Sequence, residues 1–155
     1  TAEALRREKV FVDINQGLDI RLVTEDNAKL LSKLKFKAGR GSDLRFAFDL
    51  LQTEGAIRKN VPILEKAGIK KYRMLFYVIC GFNTTHEQDM YRLQVLKEIG
   101  VGAYVMLYQP STALQKLMQT WNNEINRTRV DSACKLEDYG PYKALIASGT
   151  QGELF

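Results

Sequence analysis

Residues 74–89 are Met-Leu-Phe-Tyr-Val-Ile-Cys-Gly-Phe-Asn-Thr-Thr-His-Glu-Gln-Asp, and they indicate the fold class of this chain. An unbroken apolar run from Met74 to Cys80 stops at Gly81, and polar residues with the pattern of a helix start follow it. Continuous apolar runs are typical of strands buried on both faces, as in parallel sheets covered by helices. In such folds, ligands bind at the carboxyl edge of the sheet, where strands end and helices begin.

Four strand-like runs recur along the chain at similar spacing. They are Val10–Ile14, Leu44–Phe48, Met74–Cys80 and Ala103–Tyr108, and their starts are 34, 30 and 29 residues apart. One strand–helix unit is about 30 residues long. The alternation therefore predicts an α/β fold with a parallel sheet and right-handed crossovers. Four units make half of a barrel of eight, and they also suffice for a small open sheet.

The segments between these runs have helical patterns with recognisable N-terminal caps. Thr24 and Thr112 are predicted N-caps, and Thr84 with Glu87 has the pattern of a capping box. Pro62 interrupts the helical pattern between the second and third runs, so we expect either a kink or a new helix start there. The glycine-rich residues 37–43 are predicted to form a loop.

The composition excludes several classes of protein. The 155 residues, 45% hydrophobic and 26% charged, are typical of one globular domain. No apolar stretch approaches the roughly 20 residues of a membrane helix, so we expect no membrane partner. Cys80 and Cys134 belong to no Cys-x-x-Cys or Cys/His cluster, which argues against a zinc site or a disulfide scaffold. A reducing, cytoplasmic location is therefore expected.

Polar and small residues follow the predicted strands, where parallel strands bring their carboxyl ends to one rim. They are Asn15, Gln16, Asp19 and Arg21 after the first strand, Asp49 after the second, Gly81 and Phe82 after the third, and Tyr108 at the end of the fourth. Such a rim suits a ribose, an amino-acid head group or another small polar ligand. The same residue types also form ordinary turns and caps, and the pattern leaves both interpretations open.

The remaining chemically notable residues have structural interpretations. His86 is the only histidine, and we expect it to be solvated rather than catalytic. Cys80 is predicted to be a small core residue and Cys134 a surface residue. The aromatic residues in or beside the strands are expected in the core: Phe36, Phe46, Phe48, Phe76, Tyr77, Tyr104 and Tyr108. The basic residues before the strands are expected at the opposite, amino edge, as a solvated face or a nucleic-acid footprint: Lys33, Lys35, Lys37, Arg40, Lys70, Lys71 and Arg73.

Three segments, taken in order and spacing, resemble radical S-adenosylmethionine (radical SAM) proteins. They are Asn15-Gln16-Gly17-Leu18-Asp19-Ile20-Arg21, then Arg45-Phe46-Ala47-Phe48-Asp49, then Phe76-Tyr77-Val78-Ile79-Cys80-Gly81-Phe82-Asn83-Thr84-Thr85. The likeness extends from about Phe11 to Pro110 and is greatest to a bacterial and phage subgroup of unassigned activity.

The resemblance implies a fold and a set of site residues. The family has a partial (βα) barrel of TIM type with six strand–helix units and helices on its outer face. This chain resembles units three to six over residues 1–121, which leaves residues 122–155 as a tail of uncertain structure. By the resemblance, Ile79-Cys80-Gly81 lies where the fifth strand supports the adenine of S-adenosylmethionine, and Phe82 also belongs to the cofactor site. Asp49 lies where ribose or methionine contacts are usual. Asn15, Gln16, Asp19 and Arg21 face cofactor or substrate.

One departure from the family limits what this chain can do alone. The family holds a [4Fe–4S] cluster with Cys-x3-Cys-x2-Cys, and Cys80 and Cys134 cannot supply these thiolates. We therefore expect a C-terminal fragment, inactive alone and without bound cofactor. Its partner would be the missing N-terminal half with the cluster loop, and the start at Thr1 rather than Met adds to this expectation. The full-length enzyme would generate a 5′-deoxyadenosyl radical that takes hydrogen from a substrate.

Two other classes of function stay open on the sequence. A stand-alone α/β module with a basic rim would bind RNA or an acidic partner, with affinity that falls steeply as salt rises. A non-catalytic relic would retain the fold for oligomerisation. Half a barrel also has open sheet edges and an unpartnered apolar face, so we expect self-association.

Overall fold

The computed structural model describes residues 11–14, 16–36, 44–126 and 136–148. Val10, Asn15, the predicted loop 37–43 and Cys134 lie outside the described residues. The described strands are β1 (Phe11–Val12), β2 (Lys35–Phe36), β3 (Leu44–Ala47), β4 (Met74–Cys80) and β5 (Gly102–Leu107). The described α-helices are α1 (Glu25–Ser32), α2 (Glu54–Lys66), α3 (His86–Ile99), α4 (Ala113–Thr120) and α5 (Gly140–Ala147).

The described strands form two open parallel sheets. β3, β4 and β5 pair in that order, with Phe46 opposite Phe76 and Val78 opposite Val105. β1 pairs with β2, and Leu18 makes an isolated parallel bridge to Phe46. The α/β class with parallel strands is confirmed, and the described strands do not close into a barrel.

The two faces of the three-stranded sheet differ in burial. Along β4, Met74, Phe76, Val78 and Cys80 are fully buried, whereas Tyr77 is only half-buried. Successive side chains of a strand point to opposite faces, so the first four share one face. That face packs into one core with apolar residues of α2, α3 and α4. On the other face Leu75 is buried as well, but Tyr77 and Ile79 are only partly buried, so the expected burial on both faces is complete on the helix-covered face alone.

The helices begin at caps that local sequence largely dictates. Thr24 and Thr112 are N-caps, and each forms a capping box with the residue three positions on. The predicted box of Thr84 with Glu87 is wrong by one position, because Thr85 caps α3 and pairs with Gln88. Thr84 and Thr85 have the same capping side chain, so the sequence does not distinguish them. The path of the chain after β4 places Thr85 at the start of α3. Pro62 starts no new helix, since α2 continues through it.

Residues 121–126 close one edge of the sheet. They continue α4 as a π-helical segment, Trp121–Asn126, of which the sequence left residues 122–126 unassigned. The Asn123 side chain accepts a hydrogen bond from Val105 N at 2.8 Å and donates one to Val105 O at 2.9 Å. Asn122 donates to Ala103 O at 3.0 Å. Amide side chains thus replace a neighbouring strand here, and the predicted self-association would have to use other surfaces.

Burial corrects two expectations. Phe46, Phe48 and Phe76 are fully buried, but Tyr108, one residue past the end of β5, is 50% exposed. The other aromatic residues expected in the core are only partly buried: Phe36, Tyr77 and Tyr104. His86 is half-buried rather than solvated, and its Nδ1 atom is buried without a hydrogen-bond partner. Cys80 is a core residue as predicted, and burial raises the pKa of its thiol to about 12.

Candidate functional site

The carboxyl ends of β3 and β4 are joined through one carboxylate. Asp49 follows β3, and its Oδ1 accepts a hydrogen bond from Ile79 N in β4 at 3.1 Å. A cleft of about 200 Å³ lies beside Asp49, and Asp19 and Arg21 also line it. Three of the predicted site residues are therefore brought together, although up to 30 positions separate them in the sequence.

Asp19 and Arg21 form an exposed ion pair on the wall of this cleft. Asp19 caps a 3₁₀ turn, Ile20–Leu22, and accepts from the backbone N of Arg21 at 3.0 Å. The Arg21 guanidinium donates to both carboxylate oxygens, with Nη2 at 2.7 Å from Oδ2. The side-chain hydrogen bond from Arg21 is the main reason that the pKa of Asp19 is lowered, and the same bond raises the pKa of Arg21. This pair presents fixed charge to the cleft.

A second aspartate–arginine pair lies below the same edge and is fully buried. Asp89 and Arg92 are both 0% exposed and form an ion pair within α3. Arg92 donates to Phe48 O at 2.7 Å, to Asp49 O at 3.0 Å and to Ile79 O at 2.7 Å. The pair thus gathers the carbonyl groups at the ends of β3 and β4.

The partner of Arg92 also fixes the residue that ends β4. Asp89 Oδ2 accepts from Gly81 N at 2.9 Å. Gly81 has φ 80°, and a Cβ there would collide with the side-chain amide of Gln115. The sequence pattern missed Asp89 and Arg92, because an acid and a base three positions apart on a helix normally form a surface pair. The position of α3 directly after an apolar strand was the available signal.

The other predicted site residues lie around this edge without forming one pocket. Phe82 is 48% exposed and packs against Tyr108, with ring centroids 4.8 Å apart. The backbone groups of Ile79 and Gly81 are held by Asp49, Arg92 and Asp89, as described above. Gln16 is exposed. Asn15 lies outside the described residues.

The basic residues at the amino edge are partly engaged within the chain. Lys71 pairs with Glu65 at 3.6 Å, and the Arg73 guanidinium lies 5.5 Å from the centre of the Phe36 ring. Lys33, Lys35 and Lys70 are exposed, and Lys37 and Arg40 lie outside the described residues. The RNA-binding alternative stays a prediction.

The described residues contain no group of three or more histidine, cysteine or acidic side chains that could hold a metal ion. Across the described ranges, no helix has the length and apolar character needed to cross a bilayer. No family model, curated protein or solved structure matches this chain.

Proposed function

We propose that this chain is the C-terminal part of a radical SAM enzyme and that its carboxyl edge contacts S-adenosylmethionine and substrate in the complete protein. In this proposal, β1, β3, β4 and β5 belong to units three to six of a partial (βα) barrel of TIM type. The observation that carries it is the cleft that Asp49, at the end of β3, shares with Asp19 and Arg21, which follow the parallel bridge of Leu18 to Phe46.

The sheet order is consistent with such a barrel segment. Strands that follow one another along the chain lie side by side in the order β3, β4, β5, and Leu18 adds the preceding segment next to β3. One face of the sheet is covered by helices, and the other, which carries Tyr77, is half-exposed. A barrel has the same two faces, with helices outside and strand side chains inside.

The residues at the edge fit part of S-adenosylmethionine. The cleft of about 200 Å³ is smaller than the roughly 300–1,000 Å³ that usually encloses a drug-sized ligand, so it would hold a ribose or amino-acid end. The Asp49 carboxylate would accept hydrogen bonds from ribose hydroxyls, and the exposed ring of Phe82 would offer an apolar surface to the adenine. S-adenosylmethionine supplies the radical chemistry of the family, while the protein binds, orients and shields.

The described residues do not fit the [4Fe–4S] cluster. Such a cluster needs several Cys thiolates, and Cys80 is fully buried with a pKa raised to about 12. Cys134 lies outside the described residues, and two cysteines could not form the three-cysteine motif. The cluster ligands would have to come from an N-terminal part of the complete protein, and this chain alone would be inactive.

The gene that encodes this chain provides the first test. We expect a Cys-x3-Cys-x2-Cys motif within about 100 residues upstream of Thr1, roughly three strand–helix lengths. An open reading frame that lacks this motif would refute the enzyme proposal.

The second test measures binding of S-adenosylhomocysteine to the complete protein by calorimetry. Asp49→Asn should weaken binding roughly tenfold, since a charge-assisted hydrogen bond to ribose is lost while the amide oxygen can still accept from Ile79 N. Asp26→Asn is the matched control, because Asp26 is an exposed carboxylate of α1 outside the cleft. Equal affinities for the two variants would exclude the assignment of Asp49 to the cofactor site.

A further inference from the structure

A partly open cavity lies away from the carboxyl edge, between α3, β5 and the C-terminal segments. Its volume is about 390 Å³, within the range of small-molecule sites. Its floor is apolar and well buried: Leu93, Val101, Trp121 and Leu136 line it, and each is less than 8% exposed. An apolar floor of this size suits an aromatic or branched aliphatic group.

Two opposite charges also line this cavity. Lys97, in the last turn of α3, and Glu137, in the 3₁₀ turn Leu136–Asp138, both contribute to its wall. Neither forms an ion pair within the described part of the chain, whereas the neighbouring Asp138 pairs with Lys143 at 3.5 Å. Gln94 also lines the cavity, but its side-chain amide already donates a hydrogen bond to Glu98 at 3.2 Å. The cavity therefore offers one positive and one negative group above an apolar floor.

We infer that this cavity binds a hydrophobic amino acid. Lys97 would bind the carboxylate, Glu137 would bind the ammonium group, and the side chain would pack against Trp121 and Leu93. A purely apolar compound would form no ion pair with Lys97 or Glu137, and a simple anion would be repelled by the Glu137 carboxylate. This inference is independent of the proposed radical SAM function, because the cavity shares no residue with the cleft at Asp49.

The test uses Trp121, which is the only tryptophan of the chain and therefore reports directly on this cavity. Its emission is followed during titration of the intact chain with phenylalanine. Three related probes each lack one feature: phenylacetate has no amino group, phenethylamine has no carboxylate, and glycine has no apolar side chain. Phenylalanine should bind roughly tenfold more tightly than phenylacetate or phenethylamine, and glycine should not bind.

Charge-neutralising variants assign the two contacts. Lys97→Gln should weaken phenylalanine binding roughly tenfold and leave phenethylamine binding no weaker. Glu137→Gln should also weaken phenylalanine binding roughly tenfold, but it should leave phenylacetate binding no weaker. Lys116→Gln is the matched control, because Lys116 is an exposed residue of α4 outside the cavity. Unchanged Trp121 emission up to about 10 mM phenylalanine would overturn the inference. Phenylacetate binding as tightly as phenylalanine, or equal weakening by Lys97→Gln and Lys116→Gln, would overturn it too.

Discussion

The carboxyl edge contains two aspartate–arginine pairs that are alike in chemistry and opposite in environment. Asp19 and Arg21 lie on the surface, with side chains 35% and 63% exposed, and their bonds are mainly to each other. Asp89 and Arg92 are 0% exposed and bind four backbone groups at the ends of β3 and β4. A surface pair gains little net stability, whereas a broken buried pair leaves a charge without solvent or partner.

The difference in burial assigns a structural role to one pair and a ligand-facing role to the other. The buried pair holds the strand ends in register, and the exposed pair keeps its charge available to a ligand in the cleft. The Arg92 Nε atom has no hydrogen-bond partner, so the burial of this guanidinium is incompletely compensated.

Breaking the buried pair should have the largest effect. Asp89→Ala leaves the Arg92 charge buried and the Gly81 N–H without its acceptor, so we expect a loss of about 3–5 kcal/mol in the free energy of unfolding. Urea unfolding followed by circular dichroism measures it. The double variant Asp89→Leu with Arg92→Met should lose less than the sum of the two single variants, because no lone charge remains. Additive losses would show that the two residues do not act as a pair.

A substitution in the turn at Gly81, whose backbone N is bound by Asp89, should also lower the free energy of unfolding. Gly81→Ala places a Cβ at φ 80° and forces the Gln115 amide to move, at a cost of about 1–2 kcal/mol. Gly55→Ala is the control with the opposite sign. Gly55 lies in α2 with open space around it, so a gain of about 0.5–1 kcal/mol is expected. A higher unfolding temperature for Gly81→Ala than for Gly55→Ala would contradict the described turn.

His86, three residues before Asp89, should make stability depend on pH. Burial is the main reason that its pKa is lowered from 6.5, while Glu87 and Asp89 act in the opposite direction. As the pH falls through 6.5, His86 takes up a proton in the unfolded chain before it does so in the folded protein. The free energy of unfolding therefore decreases from that pH down to the pKa of His86 in the folded protein. Carboxylates such as Glu54, whose pKa is lowered from 4.5, titrate in a lower range.

His86→Gln should remove this loss between about pH 7.5 and about pH 5.5. Unfolding midpoints of the two proteins in urea, compared at both pH values, measure the difference. Parallel pH dependence of variant and parent would mean that another group titrates in this range.

Changing the exposed pair should have the smallest effect on stability. Asp19→Asn and Arg21→Gln are expected to leave the urea midpoint unchanged, since both side chains are solvated and the pair is screened by salt. If the proposed function holds, the same variants weaken ligand binding in the complete protein without destabilising it. A midpoint shift as large as that of Asp89→Ala would remove the distinction between the two pairs.

The fold could be predicted from the sequence where local pattern is sufficient. β4 has the predicted bounds, and Thr24 and Thr112 cap their helices as expected. At the edge, the polar residues after the strands were predicted to converge, and three of them share the cleft. Asp49 lies at this edge because β3 ends there, whereas Asp19 and Arg21 reach it through the isolated parallel bridge of Leu18 to Phe46.

The sequence pattern missed β2, which pairs with β1 in a separate sheet. Local sequence was sufficient for the class of fold, for the strands β3, β4 and β5, and for the sheet edge that carries the polar residues. Those properties depend on apolar runs, caps and spacing, which act over a few residues or repeat along the chain. Tertiary structure alone decided the burial of Asp89 and Arg92 and the closing of the β5 edge by Asn123. Arg92 meets Phe48 across 44 positions, and Asn123 meets Val105 across 18. Whether a charge or an amide is buried depends on the element that packs over it, and local sequence carries no record of that element.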